Sequence, residues 1–262
     1  VWMVLGEIIP SLEDIGKKFG LNRMFIMIQD VAHARGGGGL IAKKMAGKGW
    51  TIIGGKPEIY PTGSTDFSMG LLKARREKAQ IILIWMDMPE TSILLKQWHD
   101  MKIPALPFGS IIAAADQPGF WKATEGKGEF TLCNVVNAGN APSEATPWTM
   151  KFYNAYAKRW GVAPEGLGCS SSYMAVQVLK DAIERCGSLD SDKVVAELEK
   201  TDVMGVYGRL RFDPKSHQVI PSTDPKEGAV GSILQWQDGK RIVVYPKSIA
   251  TGEIQLPPWM KK

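Results

Sequence analysis

Between residues 24 and 108, short apolar runs alternate with amphipathic stretches. The runs 24–29, 50–54, 81–86 and 105–108 have the length of strands, while 39–46, 67–78 and 91–101 space their apolar residues as helices do. That alternation predicts a parallel sheet with helices on both faces. The run Ile81-Ile-Leu-Ile-Trp-Met86 is continuously apolar, as a strand buried on both faces must be. Sheets of this kind bind ligands in the crevice beyond the carboxyl ends of their strands. Function is therefore expected in the segments leaving those ends: 30–38, 86–90 and 109–115.

The pattern changes after residue 108. A helix is expected over 7–19, a loop or short helix over 117–121, and a strand over 130–136. A polar linker at 137–143 leads into three helices, 147–160, 171–185 and 191–200, with no strand between them. The middle one carries Met174, Val176, Val178, Leu179, Ala182 and Ile183 around most of its girth, so it needs cover on more than one side. Strands are expected at 208–212, 232–237 and 241–245, the last two joined through Asp238-Gly239, a strong hairpin-turn signal. Residues 24–136 and 205–262 can thus make one sheet-based lobe, and the helices of 144–201 need a second sheet that the chain does not supply. Either these helices pack on that lobe or they await a strand-bearing segment from elsewhere; the second is favoured.

Composition narrows the function. With 44% hydrophobic and 23% charged residues, the 262-residue chain is ordinary for a globular protein, and no apolar run nears the roughly 20 residues that cross a bilayer. The net charge of +5 is scattered among acids, as in Lys73-Ala-Arg-Arg-Glu-Lys78, which reads as a solvated helix face and not a nucleic-acid stripe. The chain opens on Val1, so the lack of a leader says nothing of compartment. Cys169 and Cys186 bracket the expected helix, roughly 25 Å apart, too far for a disulfide. Cys133 alternates within a strand as a core residue. His33, His99 and His217 share no metal-ligand spacing with the cysteines, so neither metal nor cofactor is expected. Glycines 36–39 invite an anion-binding reading, but they fit neither Gly-x-Gly-x-x-Gly nor a loop ending in Gly-Lys-Ser/Thr; a flexible turn or a close backbone approach to ligand fits better. No nucleophile–base–acid set converges, and an enzyme is not expected.

Several separated segments carry more information together than singly. They are Phe25-Ile-Met-Ile-Gln-Asp30, Pro61-Thr-Gly-Ser-Thr-Asp-Phe67, Ile81 to Met86 with Pro89-Glu90, Ser170-Ser-Ser-Tyr-Met-Ala-Val-Gln-Val-Leu179, Val203-Met-Gly-Val-Tyr-Gly-Arg-Leu-Arg-Phe-Asp213, and the ending Val243-Val-Tyr-Pro-Lys-Ser-Ile-Ala-Thr251 with Pro257-Pro-Trp259. In content and order this set resembles the branched-chain amino-acid (Leu/Ile/Val-binding) family of type I periplasmic solute-binding proteins of ABC transporters. The resemblance implies an α/β fold of two doubly wound parallel-sheet lobes joined by a hinge that the chain crosses three times. It implies a second lobe that is complete in 1–136 and 204–262, a first lobe that is partial and helical in 137–203, and a missing N-terminal lobe segment. The implied role is capture of a small organic ligand by lobe closure, in the periplasm or lipid-anchored outside the cell, with delivery to a membrane permease. A sensing receptor of the same fold and a nucleotide-binding α/β enzyme at residues 36–39 are the alternatives.

The same resemblance points to ligand-contacting positions. Family members often place an aromatic residue in the loop after the first strand, where this chain has His33, Ala34 and Arg35. Arg35 either pairs a ligand carboxylate in bidentate fashion or faces solvent; His33 either hydrogen-bonds ligand or plays a structural part. Trp85, Met86 and Asp87 end the third strand, with Trp85 in core or cleft and Asp87 meeting a ligand or capping a helix. Ser110 and Ile111 stand where amino-acid binders carry an acid for the ligand ammonium. The departure leaves an amino acid without that partner and opens a second class, a carboxylate or aromatic acid lacking an ammonium.

Overall fold

Local sequence chemistry explains most of the elements in the computed structural model, which describes residues 3–166 and 168–260. The chain divides into two units, residues 1–134 with 233–244 and 252–262, and residues 135–232 with 245–251.

In the first unit a π-helical stretch, Met3–Ile8, continues into α1 (Ile9–Phe19), which stops at Gly20 with φ +69°, a conformation that glycine adopts without strain. β1 (Arg23–Gln29) buries every residue except Arg23. There follow α2 (Ala32–Ala46), β2 (Thr51–Ile52), β3 (Glu58–Tyr60), α3 (Ser68–Arg76), the wholly buried β4 (Ile81–Met86), α4 (Thr91–Asp100), β5 (Leu106–Ile112), α5 (Ala113–Asp116), α6 (Phe120–Ala123) and β6 (Leu132–Val135). β2, β3 and β4 each pair in parallel with β1, β5 with β4, and β6 with β5. The sheet is completed by β9 (Ser232–Gln237) and β10 (Lys240–Tyr245), giving the order β10-β9-β6-β5-β4-β1-β2. Asp238 and Gly239 both take positive φ (49° and 75°), as the two central residues of a type I′ hairpin turn do.

The topology fixes where a ligand crevice belongs. From β1 the chain runs outward to β2 and β3, whereas from the adjacent β4 it runs the opposite way, to β5 and β6. The connections leaving β1 and β4 therefore diverge, and that divergence is the switch point at which open α/β sheets bind ligands.

The second unit is mostly helical: α7 (Thr149–Trp160), α8 (Cys169–Cys186), α9 (Ser191–Leu198) and a two-stranded antiparallel ribbon of β7 (Asp202–Gly205) and β8 (Gly208–Arg211). α8 buries one stripe, Ser170, Met174, Val178 and Ala182, at four-residue spacing. Three of its other apolar residues are uncovered: Tyr173, Val176 and Leu179 are 46%, 64% and 45% exposed, while Ile183 is half-buried. Trp148, Trp160 and Val195 are exposed as well.

Four expectations change. The helix expected from residue 39 begins at Ala32, because tertiary packing overrides the helix-breaking tendency of four glycines. The strand expected to end at residue 108 runs to Ile112, through a bulge at Ser110 that shifts the register against β4. β3 and β7, at three and four residues, are too short to show a period. Residues 204–232 group with the second unit, so the return to the main sheet occurs at residue 233 and not 204; the β7–β8 ribbon joins no strand of that sheet.

Candidate functional site at the strand carboxyl ends

A hydrogen-bonded chain of side chains spans the switch point. Gln29, the last residue of β1, is polar yet buried, and a buried amide must find partners. Its Nε2 donates to Thr62 Oγ1 at 2.8 Å, and its Oε1 accepts from the backbone N–H of Asp87 at 2.9 Å. One side chain thus ties together the segments leaving β1, β3 and β4. Asp30 N–H donates to Tyr60 O at 2.8 Å and adds a backbone tie between two of them.

The first turn of α2 then brings His33 over the end of β4. The ring's Nε2 lies 3.0 Å from Asp87 Oδ2, and its Nδ1 lies 3.2 Å from Trp85 Nε1. An indole nitrogen only donates, so Nδ1 is the acceptor and the proton sits on Nε2, donated to Asp87. Both ring nitrogens are thereby engaged, and neither is left to act as a base on a bound molecule. Arg35, two residues on, is closed onto Asp30, with Nε–Oδ1 at 2.7 Å and a terminal guanidinium nitrogen at 2.6 Å. His33, Arg35 and their two carboxylates are each about half exposed, so the cluster faces outward.

Glycine makes this packing geometrically feasible. Trp85 is buried and its indole lies against Gly37, where an added Cβ would fall 1.9 Å from the ring; Gly38 sits less tightly on Ile28, 2.9 Å from an added Cβ. Residues 36–39 are thus turns of a helix, and their amides serve no phosphate loop.

Of the eight expected contact residues, His33, Arg35 and Asp87 stand together at the surface of this edge. Trp85 stands behind them as their support. Ala34 and Met86 are fully buried and point into the core. Ser110 is also fully buried, its Oγ without a partner, because it is the bulged residue of β5 and lies inside the sheet; Ile111 is half-buried. Gln29, Thr62 and Asp30 were not among the eight. The signal available for Gln29 was a lone amide at the end of a run that is otherwise apolar.

Asp87 also lines a cavity of about 240 Å³ with Pro89, Ser92, Ala114, Gln117 and Phe120. A larger cavity, about 570 Å³, lies in the second unit among Trp148, Phe152, Tyr156, Trp160, Tyr173 and Met204. It is lined by helices and the β7–β8 ribbon and touches no strand end of the parallel sheet; its lining is the uncovered aromatic face just described. The smaller cavity has the topology of a ligand site.

Comparison with known proteins agrees with this architecture. A family model described as "Periplasmic binding protein" matches residues 12–227. Leu/Ile/Val-binding protein homolog 7 of Brucella melitensis is 30% identical over 112 residues, covering 43% of this chain and 27% of its own length. Homolog 8 of the same organism is 20% identical over 200 residues, covering 75% of this chain and 48% of its own. The chain thus spans about a quarter to a half of the curated relatives it matches. Among solved structures, one assigned to a branched-chain amino acid ABC transporter from Silicibacter pomeroyi superposes with a TM-score of 0.81 at 16% identity, covering 98% of this chain and 68% of that one.

Proposed function

The chain belongs to the periplasmic binding protein family, and on that premise we propose that it is the solute-capturing component of an ABC transporter, acting outside the cytoplasmic membrane and handing its ligand to a membrane permease. The fold is that of type I periplasmic binding proteins. One observation carries the assignment of the site: His33, Asp87 and Arg35 converge at the switch point, held there by Trp85, Gln29 and Asp30. The ligand is a small organic molecule, an amino acid or a carboxylate lacking an ammonium.

A second part of the proposal concerns the uncovered helices. The exposed face of α8 and the aromatic cavity beside it are apolar surface of the kind a core conceals, and about a third of the Silicibacter pomeroyi chain has no counterpart here. We assign that face to β-structure supplied by a segment upstream of Val1. Binding then needs two walls. A micromolar solute requires about −8 kcal/mol, and closure is a shift in population driven by the ligand's preference for the two-walled state.

The test of the site is a screen of amino acids, organic acids and amines against the ¹⁵N-labelled chain. Ligand-dependent shifts should concentrate at residues 30–35, 62 and 87–92. Shifts confined to residues 148–206 would place the site elsewhere.

A further inference from the structure

The sheet order gathers basic residues that the sequence keeps apart, and we propose that the amino edge of the parallel sheet docks on an anionic phospholipid bilayer. The inference goes beyond solute capture. It concerns the edge opposite His33 and Asp87, and needs only a protein that works beside a membrane.

Three helix-to-strand turns make the surface. Residues 16–23 lead from α1 into β1, 43–50 from α2 into β2, and 73–80 from α3 towards β4. Together they hold ten lysines or arginines and one acid, Glu77, a surplus of nine positive charges in a chain whose net charge is +5. The remainder of the chain is therefore net acidic. β2 and β4 flank β1, with Thr51 opposite Arg23 and Ile81 opposite Met24, so the three turns end at one level. Neighbouring strands lie about 4.8 Å apart, which spreads the three strand starts over about 10 Å. That is close to the Debye length of about 8 Å at physiological salt, so the charges act together.

Cations at a helix C-terminus have a local explanation, since they complement the helix dipole. That explanation does not produce the asymmetry. The turns at the other end of the same edge are 97–105, 122–131 and 238–240, where Asp238 N–H donates to Glu129; each balances acids against bases. Nor do neighbouring carboxylates cancel the patch. They pair four of its cations: Lys18 with Glu253, Lys48 with Glu13, Lys73 with Glu58, and Arg76 with Glu77. Lys17, Arg23, Lys43, Lys44, Arg75 and Lys78 have no carboxylate partner among the described residues. Arg23 and Arg75 donate instead to backbone carbonyls, of Glu77, Lys78 and Met101, and keep their charge.

Shape and aromatic content select the partner. Turns that end at one level make a flat face, which suits a bilayer; a nucleic acid is held by a groove or by an element that enters one. Two half-buried aromatic residues lie among the lysines. Lys18 Nζ stands 5.4 Å over the Phe19 ring, and Trp50 packs against Gly16. Aromatic rings flanked by cations favour the headgroup level of a bilayer, whose anionic lipids attract the lysines and arginines.

Vesicle sedimentation tests this. At about 0.1 M salt the chain is mixed with vesicles of phosphatidylglycerol and phosphatidylcholine in equal parts, and with phosphatidylcholine alone. Partition to the anionic vesicles should be at least about ten-fold stronger and should fall as salt is raised. Lys43 and Lys44 are both exposed. Lys43→Gln with Lys44→Gln should weaken partition by roughly twenty-five-fold, at about five-fold per lysine. Lys122→Gln with Lys240→Gln removes the same charge from the balanced end of the edge, and should weaken it by less than about three-fold. A paramagnetic lipid in the vesicles should broaden the amides of 17–23, 43–50 and 75–80 before those of 148–206. Equal partition to both vesicles, equal losses in the two double variants, or tighter binding to duplex DNA at the same phosphate concentration each overturns the proposal. So does broadening that begins at 148–206, which would move the contact to the uncovered aromatic face. None of these results bears on solute capture, and a failed solute screen would leave the vesicle result standing.

Discussion

Gly37 on α2 and Trp85 at the end of β4 are in contact so close that a single methyl group on the glycine would lie 1.9 Å from the indole ring. The contact seats the helix that carries His33 and Arg35 against the strand that carries Asp87. Gly37→Ala should therefore destabilise the protein by about 1–3 kcal/mol, through overpacking. Gly36 and Gly39 meet nothing within 4 Å of an added Cβ. Alanine at either should stabilise the helix by up to about 1 kcal/mol. Denaturant midpoints of the three variants decide the matter; a neutral Gly37→Ala would mean the indole is not seated there.

Gln29 couples Thr62 to the Asp87 amide. Replacing it with leucine removes both bonds and leaves the Asp87 N–H and the Thr62 hydroxyl, on two exposed residues, to water, a loss of about 0.5–1.5 kcal/mol. Hydrogen exchange localises the effect: the Asp87 amide should exchange faster in Gln29→Leu, while the amides of β5 keep their protection. Equal acceleration in both would indicate general loosening and no specific tie.

Acid should act on the β7–β8 ribbon. The Arg209 guanidinium, hydrogen-bonded through Nε and a terminal nitrogen to the Asp202 carboxylate, holds that carboxyl below its ordinary value of 3.8. A depressed folded-state value contributes stability that is present above the unfolded value and lost as pH falls through the folded one. Carboxyl NMR titration should place Asp202 below 3.8. The cross-strand amides of 203–210 should loosen over that acid interval and show no such change above it. In Asp202→Asn this pH dependence should vanish; its persistence would assign it to other groups.

The open flank of α8 gives a prediction that depends on context. Val176→Lys and Leu179→Lys should change the stability of this chain by no more than about 0.5 kcal/mol, as exposed substitutions do. In a longer protein whose upstream β-structure covers that face, each should cost about 1.5–3 kcal/mol. Equal effects in both settings would leave the face without the assigned cover.

The parallel sheet was legible because its central strands are nearly continuous apolar runs: Arg23–Gln29 and Ile81–Met86 bury almost every residue, and no amphipathic helix reads that way. β3 and β7 were not legible, since three or four residues carry no period. The beginning of α2 was hidden by its glycines, whose value lies in contacts with Trp85 and Ile28 that local propensity does not record. His33, Arg35 and Asp87 were legible as residues of the sheet's carboxyl edge because they follow strand ends, and the fold places them there. Gln29 escaped because its partners lie 33 and 58 residues away, and only the sheet order brings them together. Ser110 was misplaced by a bulge, a one-residue irregularity with no signature in the apolar pattern.

The most direct measurement is isothermal titration of one solute, identified in the screen, against this chain and against the chain preceded by its upstream segment. Two walls closing on one ligand predict affinity at least a hundred-fold greater for the longer protein, about 2.7 kcal/mol. Equal affinities would contradict the account, because the site built around Asp87 would then be complete without a second wall.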